Sequence, residues 1–267
     1  MLTDIMRTDL EFEVWECLER VNDPELDEPV TDMGFIERIE VIDNHRVEVV
    51  FRLPTYWCSP NFAFLMAFGI RREIETLRWV RDIRVELSDH CFGDEVNEGV
   101  NSGRAFSAVF AQYCDDANLE SVAETFMAKA FDRRQEAMLL GLRRRGLSAE
   151  RIVSMSLGEF DCIPFADEEA IKQKPRYREL LLSCGLAEEP GDLAFPTWEG
   201  QCILPDRLQA HLERLRGVRI NMEFNGAMCR GLASTRYKEV EIGPDGPTLV
   251  DFIAGRVPPR DAAKMSR

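Results

Sequence analysis

The sequence lacks the short motifs that mark the common enzyme classes. Its 267 residues contain no glycine-rich phosphate loop, no dinucleotide-binding fingerprint, no G-x-S-x-G elbow and no H-E-x-x-H helix. The eight cysteines include no C-x-x-C pair, which argues against a zinc ribbon, a thioredoxin-type dithiol and a ferredoxin-type cluster. We therefore expect a protein that is not an enzyme and has no catalytic residues.

An excess of positive charge and a long apolar run are also missing. The 33 Lys and Arg residues are outnumbered by 48 Asp and Glu residues, so the net charge near −15 repels nucleic acid and anionic lipid. No stretch approaches the 18 or so apolar residues of a membrane span, and residues 1–16 are acidic where a signal peptide is basic. We expect a cytoplasmic protein whose cysteines are free thiols or ligands, with neither nucleic acid nor membrane as a partner.

Residues 1–103 show a readable order of secondary structure. Helical spacing of apolar residues over 11–21 is followed by an alternating pattern over 35–53, which is typical of a hairpin with one buried face. A second helix over 59–77 and a strand over 80–87 complete the pattern. The order helix, strand, strand, helix, strand predicts a small α+β domain.

Residues 104–267 are patterned differently. Most of this region has helical spacing, including a long helix over 119–146, which predicts a mainly helical domain. A few strands are expected at 218–224 and 237–253, and the last residues, 256–267, should fray. Cys229 falls in what reads as a glycine-flanked loop, where a backbone could approach a ligand closely.

Cys58 is the first candidate ligand. It lies between the end of the predicted strand and the start of the 59–77 helix, in the stretch TYWCSP. Unpaired amides and the positive end of the helix dipole stabilise a thiolate at such a place, so the sulfur is suited to a metal or an electrophile. An inert cysteine in a tight connection is the alternative.

A second candidate lies in the polar segment 88–103, which has few apolar residues to pack in a core and which we expect to be a loop. Its adjacent His90 and Cys91 form a nitrogen and sulfur donor pair suited to iron or zinc, whereas the spacing of its acidic residues does not fit an EF-hand calcium loop. Because this segment and Cys58 both follow strands of one predicted sheet, we expect Cys58 to lie within reach of residues 88–98.

The chain resembles a known family over residues 11–90. The acidic stretch Asp23, Pro24, Glu25 is followed by Asp32 and Gly34 in a turn into the hairpin, and Cys58 precedes the second helix. These residues, in this order of elements, are similar to the SufT/PaaD-type iron-sulfur cluster assembly domain, also called domain of unknown function 59.

The resemblance implies a maturation factor that acts as a carrier or adaptor. It would bind iron or an iron-sulfur cluster, with zinc as an alternative, and assist its delivery to a client metalloenzyme. Members of the family occur beside bacterial di-iron monooxygenases, which makes such an enzyme a candidate client. We expect Cys58 as the sulfur ligand, with His90 and Cys91 of the polar segment completing the shell and Glu25 or Asp32 ligating or orienting, and homodimerisation is left open.

The sequence is compatible with two other functions. The same surface could dock a partner protein without any metal, as an interaction adaptor. Alternatively, Cys58 or Cys229 could be the nucleophile of an enzyme, with His90 or His211 brought to it by the fold.

Overall fold

A computed structural model describes residues 9–111 and 119–236. The described residues group into two compact units. Unit 1 runs to Leu119 and resumes at Asn225, and unit 2 is Glu120–Phe224. The division of the chain into domains 1–103 and 104–267 stays a prediction.

Unit 1 combines helices with a small sheet. Its helices are α1 (Asp9–Leu18), α2 (Pro60–Ile74), α3 (Gly93–Asn101) and the short α4 (Phe106–Val109). Its strands are β1 (Asn22–Asp23), β2 (Glu28–Pro29), β3 (Ile36–Ile42), β4 (Arg46–Arg52) and β5 (Asp82–Ser88).

The main sheet of unit 1 has the strand order β3-β4-β5. β3 and β4 form the predicted antiparallel hairpin, and β5 joins β4 in parallel after the α2 crossover. Alternate residues of β4, namely Val47, Val49 and Phe51, are fully buried, whereas the residues between them are partly exposed. The predicted α+β fold is confirmed, and β1 and β2 add a short antiparallel pair within the acidic loop.

The prediction that residues 88–103 form a loop is wrong, because Gly93–Asn101 is helical. Val96 and Val100 are four residues apart and buried, so the helix presents one apolar face to the core and its many polar residues to the other side. Because most residues of this segment are polar, its short apolar face does not stand out in the sequence as a helical pattern.

Two asparagines of α3 bind the free edge of β5. Asn97 accepts from the Leu87 amide at 2.7 Å, and Asn101 accepts from the Val85 amide at 2.9 Å and donates to the Val85 carbonyl at 2.7 Å. Four helical residues rise about 6 Å and two strand residues about 6.6 Å, so the two spacings match. The side-chain amides thereby take the place of a neighbouring strand.

Unit 2 is helical. It contains α5 (Leu119–Arg144), α6 (Ala149–Val153), α7 (Leu157–Asp161), α8 (Glu168–Ser183), the 3-10 helix Pro205–Arg207 and the first part of α9 (Leu208–Arg236). Its core is formed around aromatic side chains that are fully buried: Phe131, Phe160, Tyr177 and Phe195. The predicted long helix and the mainly helical character of this region are confirmed.

The strand predicted at 218–224 is wrong, since these residues belong to α9. Apolar residues alternate over that short stretch, but the buried residues Leu208, Leu212, Leu215 and Met222 follow helical spacing. Among the described residues beyond 103, the β-structure consists of the isolated bridges Ser156 to Leu193 and Pro196 to Cys202. The predicted strand 237–253 and the frayed end 256–267 lie outside the described residues.

Over the part of the chain that the structure describes, every helix is either too short or too polar to cross a membrane.

Candidate functional site

Cys58 lies in the connection between β4 and α2, as the sequence predicts. Its side chain is partly buried, and the Thr55 hydroxyl lies 3.0 Å from its Sγ. Pro60 begins α2, and the amides of Phe62 and Ala63 bond to the Ser59 carbonyl in the first turn. The thiol therefore stands just outside the opening turn of the helix.

The Cys58 side chain lines a cavity of about 270 Å³ within unit 1. The polar side chains on this cavity include Asp23 and Glu25 from the acidic loop and Cys229 from the end of α9. Its apolar wall includes the following side chains: Leu53, Phe62, Met66 and Leu232. Three separate segments of the chain, namely the acidic loop, the connection between β4 and α2, and α9, thus bring two thiols and two carboxylates to one partly apolar space.

The acidic loop is fixed by Asp23, which is buried. Its Oδ1 accepts hydrogen bonds from the backbone amides of Glu25 and Leu26 at 2.9 and 3.0 Å. Burial raises the pKa of Asp23 to about 6; the Glu25 and Glu28 carboxylates add to the increase and the two amide donors oppose it. The site therefore holds a carboxyl group that a cation would favour in its charged form.

His90 holds the Cys58 connection from outside the cavity. Its Nε2 donates to the Cys58 carbonyl at 2.9 Å, and its Nδ1 accepts from the Phe92 amide at 3.2 Å. These two bonds require a neutral ring, and burial, the largest cause, lowers the pKa of His90. Both ring nitrogens are engaged in hydrogen bonds, so in this arrangement His90 positions the Cys58 backbone.

The predicted proximity of Cys58 to residues 88–98 is confirmed by this contact and by the Cys91 amide, which donates to the Tyr56 carbonyl at 2.9 Å. The side chains of Cys91 and Asp32 are exposed, and neither residue lines the cavity. Of the five sequence-predicted ligands, the structure brings Cys58 and Glu25 to the cavity. Metal ligation by any of the five stays a prediction.

Cys229 lies at a position that the sequence pattern does not predict. The expected glycine-flanked loop is wrong, because residues 224–234 are helical, within α9. Asn225, Cys229, Leu232 and Arg236 follow one another at intervals of four, three and four residues, which is the spacing of a single helical face. That spacing is the sequence signal for a helical face that includes Cys229 and packs against the rest of the protein.

Polar contacts fasten this face of α9 within unit 1. Asn225 Nδ2 donates to Glu25 Oε1 at 3.2 Å, and Arg236 Nη2 bonds to the carboxylate and the carbonyl of Asp89 at 2.6 and 2.9 Å. Arg230, which neighbours Cys229, forms an ion pair with Glu28 at 2.7 Å. The contacts of Asn225 and Arg236 therefore fix α9 on the N-terminal and C-terminal sides of Cys229.

The environment of Cys229 disfavours a free thiolate. Burial raises the pKa of its thiol to about 11, and the negative charges of Asp23, Cys58 and Glu25 add to the increase, against a smaller opposing effect of Arg230. At neutral pH the thiol is protonated. A metal cation in the cavity would reverse this preference, because coordination deprotonates a thiol.

The residues at the cavity fit a thiophilic metal in donor type. Thiolate sulfur and carboxylate oxygen are ligands that iron and zinc accept. In the described residues, 9–111 and 119–236, no group of three or more His, Cys, Asp or Glu side chains is already arranged around a metal position. The cavity therefore offers a few donors and room for others, rather than a closed cage.

Residues 11–87 match the family of iron-sulfur cluster assembly proteins. This confirms the resemblance of the N-terminal part of the chain and supports a general role in iron-sulfur cluster assembly. The matched segment includes the acidic loop, the hairpin and Cys58, and it ends at Leu87, before His90 and far before Cys229. Comparison with the curated proteins found no match.

Proposed function

We propose that this protein is a maturation factor that binds iron or an iron-sulfur cluster at Cys58 and assists its delivery to a client metalloenzyme. The observation that carries the proposal is the position of Cys58 in the family-matched segment, on a partly apolar cavity beside Asp23 and Glu25. The metal or cluster is cargo rather than a resident cofactor. A bacterial di-iron monooxygenase is the client class that the resemblance suggests.

The cavity suits transfer because its donors are few. A cluster or ion held by a small number of protein ligands keeps positions open, and a client cysteine or carboxylate can enter them before the carrier's own ligands leave. The apolar wall formed by Leu53, Phe62 and Met66 limits access of water to the cargo. Ligand exchange at these open positions completes the delivery without any redox step by the carrier.

A non-catalytic role agrees with the state of the thiols and histidines. Cys229 is protonated at neutral pH, which disfavours nucleophilic attack. The His90 ring is bonded to the Cys58 carbonyl and the Phe92 amide, and His211 Nε2 donates to Gln135 Oε1 at 2.6 Å. Both ring nitrogens of His90 and the Nε2 of His211 are thus already hydrogen-bonded.

The second candidate is a metal-free adaptor that docks a partner through the same surface. One observation favours it: Trp57, directly before Cys58, is 74% exposed, and an exposed indole is a typical anchor of a protein interface. In this function Cys58 is structural and the cavity receives a partner side chain.

Metal loading separates the two functions. The protein is purified without oxygen, incubated with ferrous iron and sulfide, and assayed for bound iron and for visible absorption. We expect the parent and Cys202→Ser, which removes an exposed thiol of unit 2, to bind iron equally, and Cys58→Ser to lose the bound iron while keeping its helical circular dichroism. Equal iron binding by Cys58→Ser and the parent would contradict the proposal, and no iron in the parent would favour the adaptor.

A further inference from the structure

We propose that Cys229 is the second sulfur ligand of the Cys58 site, so that two thiolates from distant parts of the sequence hold one thiophilic divalent metal, ferrous iron or zinc. This inference rests on the function proposed above and adds a ligand to the same site. Cys229 lies outside residues 11–87, so the match to the assembly family assigns it no role.

The geometry is the first support. Both cysteines line the same cavity of about 270 Å³, although 171 positions separate them in the sequence. Cys229 is one helical turn from Asn225, which bonds to Glu25, and two turns from Arg236, which bonds to Asp89. These contacts fasten the helix on both sides of Cys229, so its thiol is presented to the cavity by a rigid element.

The charges around the cavity are the second support. Asp23 and Glu25 line it together with the two thiols, and the neighbouring cation, Arg230, is already bonded to Glu28 and to the Met33 sulfur. Two carboxylates facing two thiols in a partly buried space attract a divalent cation. On binding, the metal takes both sulfurs as thiolates, and the two thiol protons go to the solvent.

The neighbouring side chains are the third support. Met66 is buried, Phe62 and Leu232 are the apolar neighbours of the two thiols on the cavity, and the Thr55 hydroxyl is available to the Cys58 sulfur. An apolar shell with one hydrogen-bond partner for sulfur is typical of thiolate metal sites. Remaining positions on the metal would be filled by sulfide or by a ligand of the client.

Cobalt(II) titration tests the number of sulfur ligands directly, because the near-ultraviolet charge-transfer band of bound cobalt grows with each Co–S bond. The full chain is titrated anaerobically with cobalt(II) chloride. We expect the parent to show the band intensity of two Co–S bonds. In Cys58→Ser and in Cys229→Ser, the band intensity per bound cobalt should fall to about half, and the affinity for cobalt should fall at least about tenfold. Met228→Ser, on the exposed side of the same helical turn, is the matched control and should behave as the parent.

The outcomes distinguish the two proposals. If Cys229→Ser keeps the band and affinity of the parent while Cys58→Ser loses them, the inference about Cys229 is overturned and the function proposed for Cys58 stands. If the parent shows no sulfur-to-cobalt band, the proposed function itself fails. If Cys229→Ser loses its helical circular dichroism, iodoacetamide modification of the parent is measured instead. We expect bound cobalt to protect both Cys58 and Cys229 from modification. Modification of Cys229 at the rate of the metal-free protein would overturn the inference.

Discussion

In unit 2 the buried hydroxyl of Tyr177 donates to the Ala194 carbonyl at 2.8 Å and accepts from Gln135 at 2.9 Å, whereas in unit 1 the thiols of Cys58 and Cys229 open onto a cavity. Gln135 also donates to the Pro196 carbonyl and accepts from His211. The Tyr177 network is thus linked through donors and acceptors of the protein itself.

The difference indicates what each group of polar residues does. A buried network that supplies its own partners stabilises one packing of the core and leaves nothing for a ligand. The cavity of unit 1 collects sulfur and carboxylate donors where a structural role would favour apolar packing. We therefore assign stability to the Tyr177 network, and for the Cys58 cavity we keep the proposal of ligand binding.

The largest effect on stability is expected for Gln135→Ala. The substitution leaves the buried Pro196 carbonyl and the His211 ring without their Gln135 partner, and it creates a cavity. The free energy of unfolding of unit 2 should therefore fall by about 3 kcal/mol. Urea unfolding with hydrogen exchange of peptides from α5 and α8 measures the loss. Iron binding per folded chain should stay at the parent value, and a parallel loss of iron binding would break the assignment of the two roles.

A smaller effect is expected for Asn101→Ala in unit 1. The Val85 amide loses its acceptor at the edge of the sheet, and unit 1 should be destabilised by about 1–2 kcal/mol. Hydrogen exchange at Val85 should accelerate, whereas an exposed neighbour, Glu98→Ala, should change it little. Unchanged protection of Val85 in Asn101→Ala would show that the asparagine is not replacing a strand.

A still smaller effect is expected at the start of α6. The Ser148 side chain accepts from the Arg151 amide at 3.3 Å, and Ser148→Ala should cost about 0.5–1 kcal/mol. Thermal unfolding measures this loss, and Ser148→Asp, which retains a capping oxygen, should recover it. A drop in iron loading without a drop in stability would contradict the separation of roles.

The smallest effect is the pH dependence due to His211. Burial lowers its pKa and the Arg214 guanidinium adds to this, while Asp132 and Glu199 oppose it. The unfolded chain binds a proton near the ordinary value of 6.5 and the folded chain only at lower pH, so stability falls as the pH drops below 6.5. Urea unfolding on both sides of pH 6.5 should show less of this dependence in His211→Gln, and an equal dependence in that variant would contradict the prediction.

Much of unit 1 could be predicted from the sequence because its signals are local. The alternation that buries Val47, Val49 and Phe51 marks β4, and Pro60 marks the start of α2. α3 is not predictable from its local pattern, because its apolar face consists of a few residues, chiefly Val96 and Val100, within a polar stretch. The strength of a local pattern, rather than the importance of the element, decided what could be predicted.

The candidate site was predicted only where it depends on the local sequence. Cys58 and Glu25 follow from the family resemblance and lie on the cavity. Cys229 could not be placed, because its meeting with Cys58 depends on tertiary contacts such as that between Asn225 and Glu25. His90 was predicted as a ligand because of its side-chain type, whereas the hydrogen bonds that engage its ring exist only in the fold.

We propose that Cys58 holds iron through sulfur. Iron K-edge X-ray absorption of protein loaded anaerobically with ferrous iron alone tests this ligation, because it reports the nearest neighbours of the bound metal. We expect sulfur neighbours in the parent and in Cys202→Ser, and fewer of them per bound iron, together with the loss of most of the iron, in Cys58→Ser. Iron surrounded by oxygen and nitrogen alone in the parent, or an unchanged sulfur signal in Cys58→Ser, would contradict the claim.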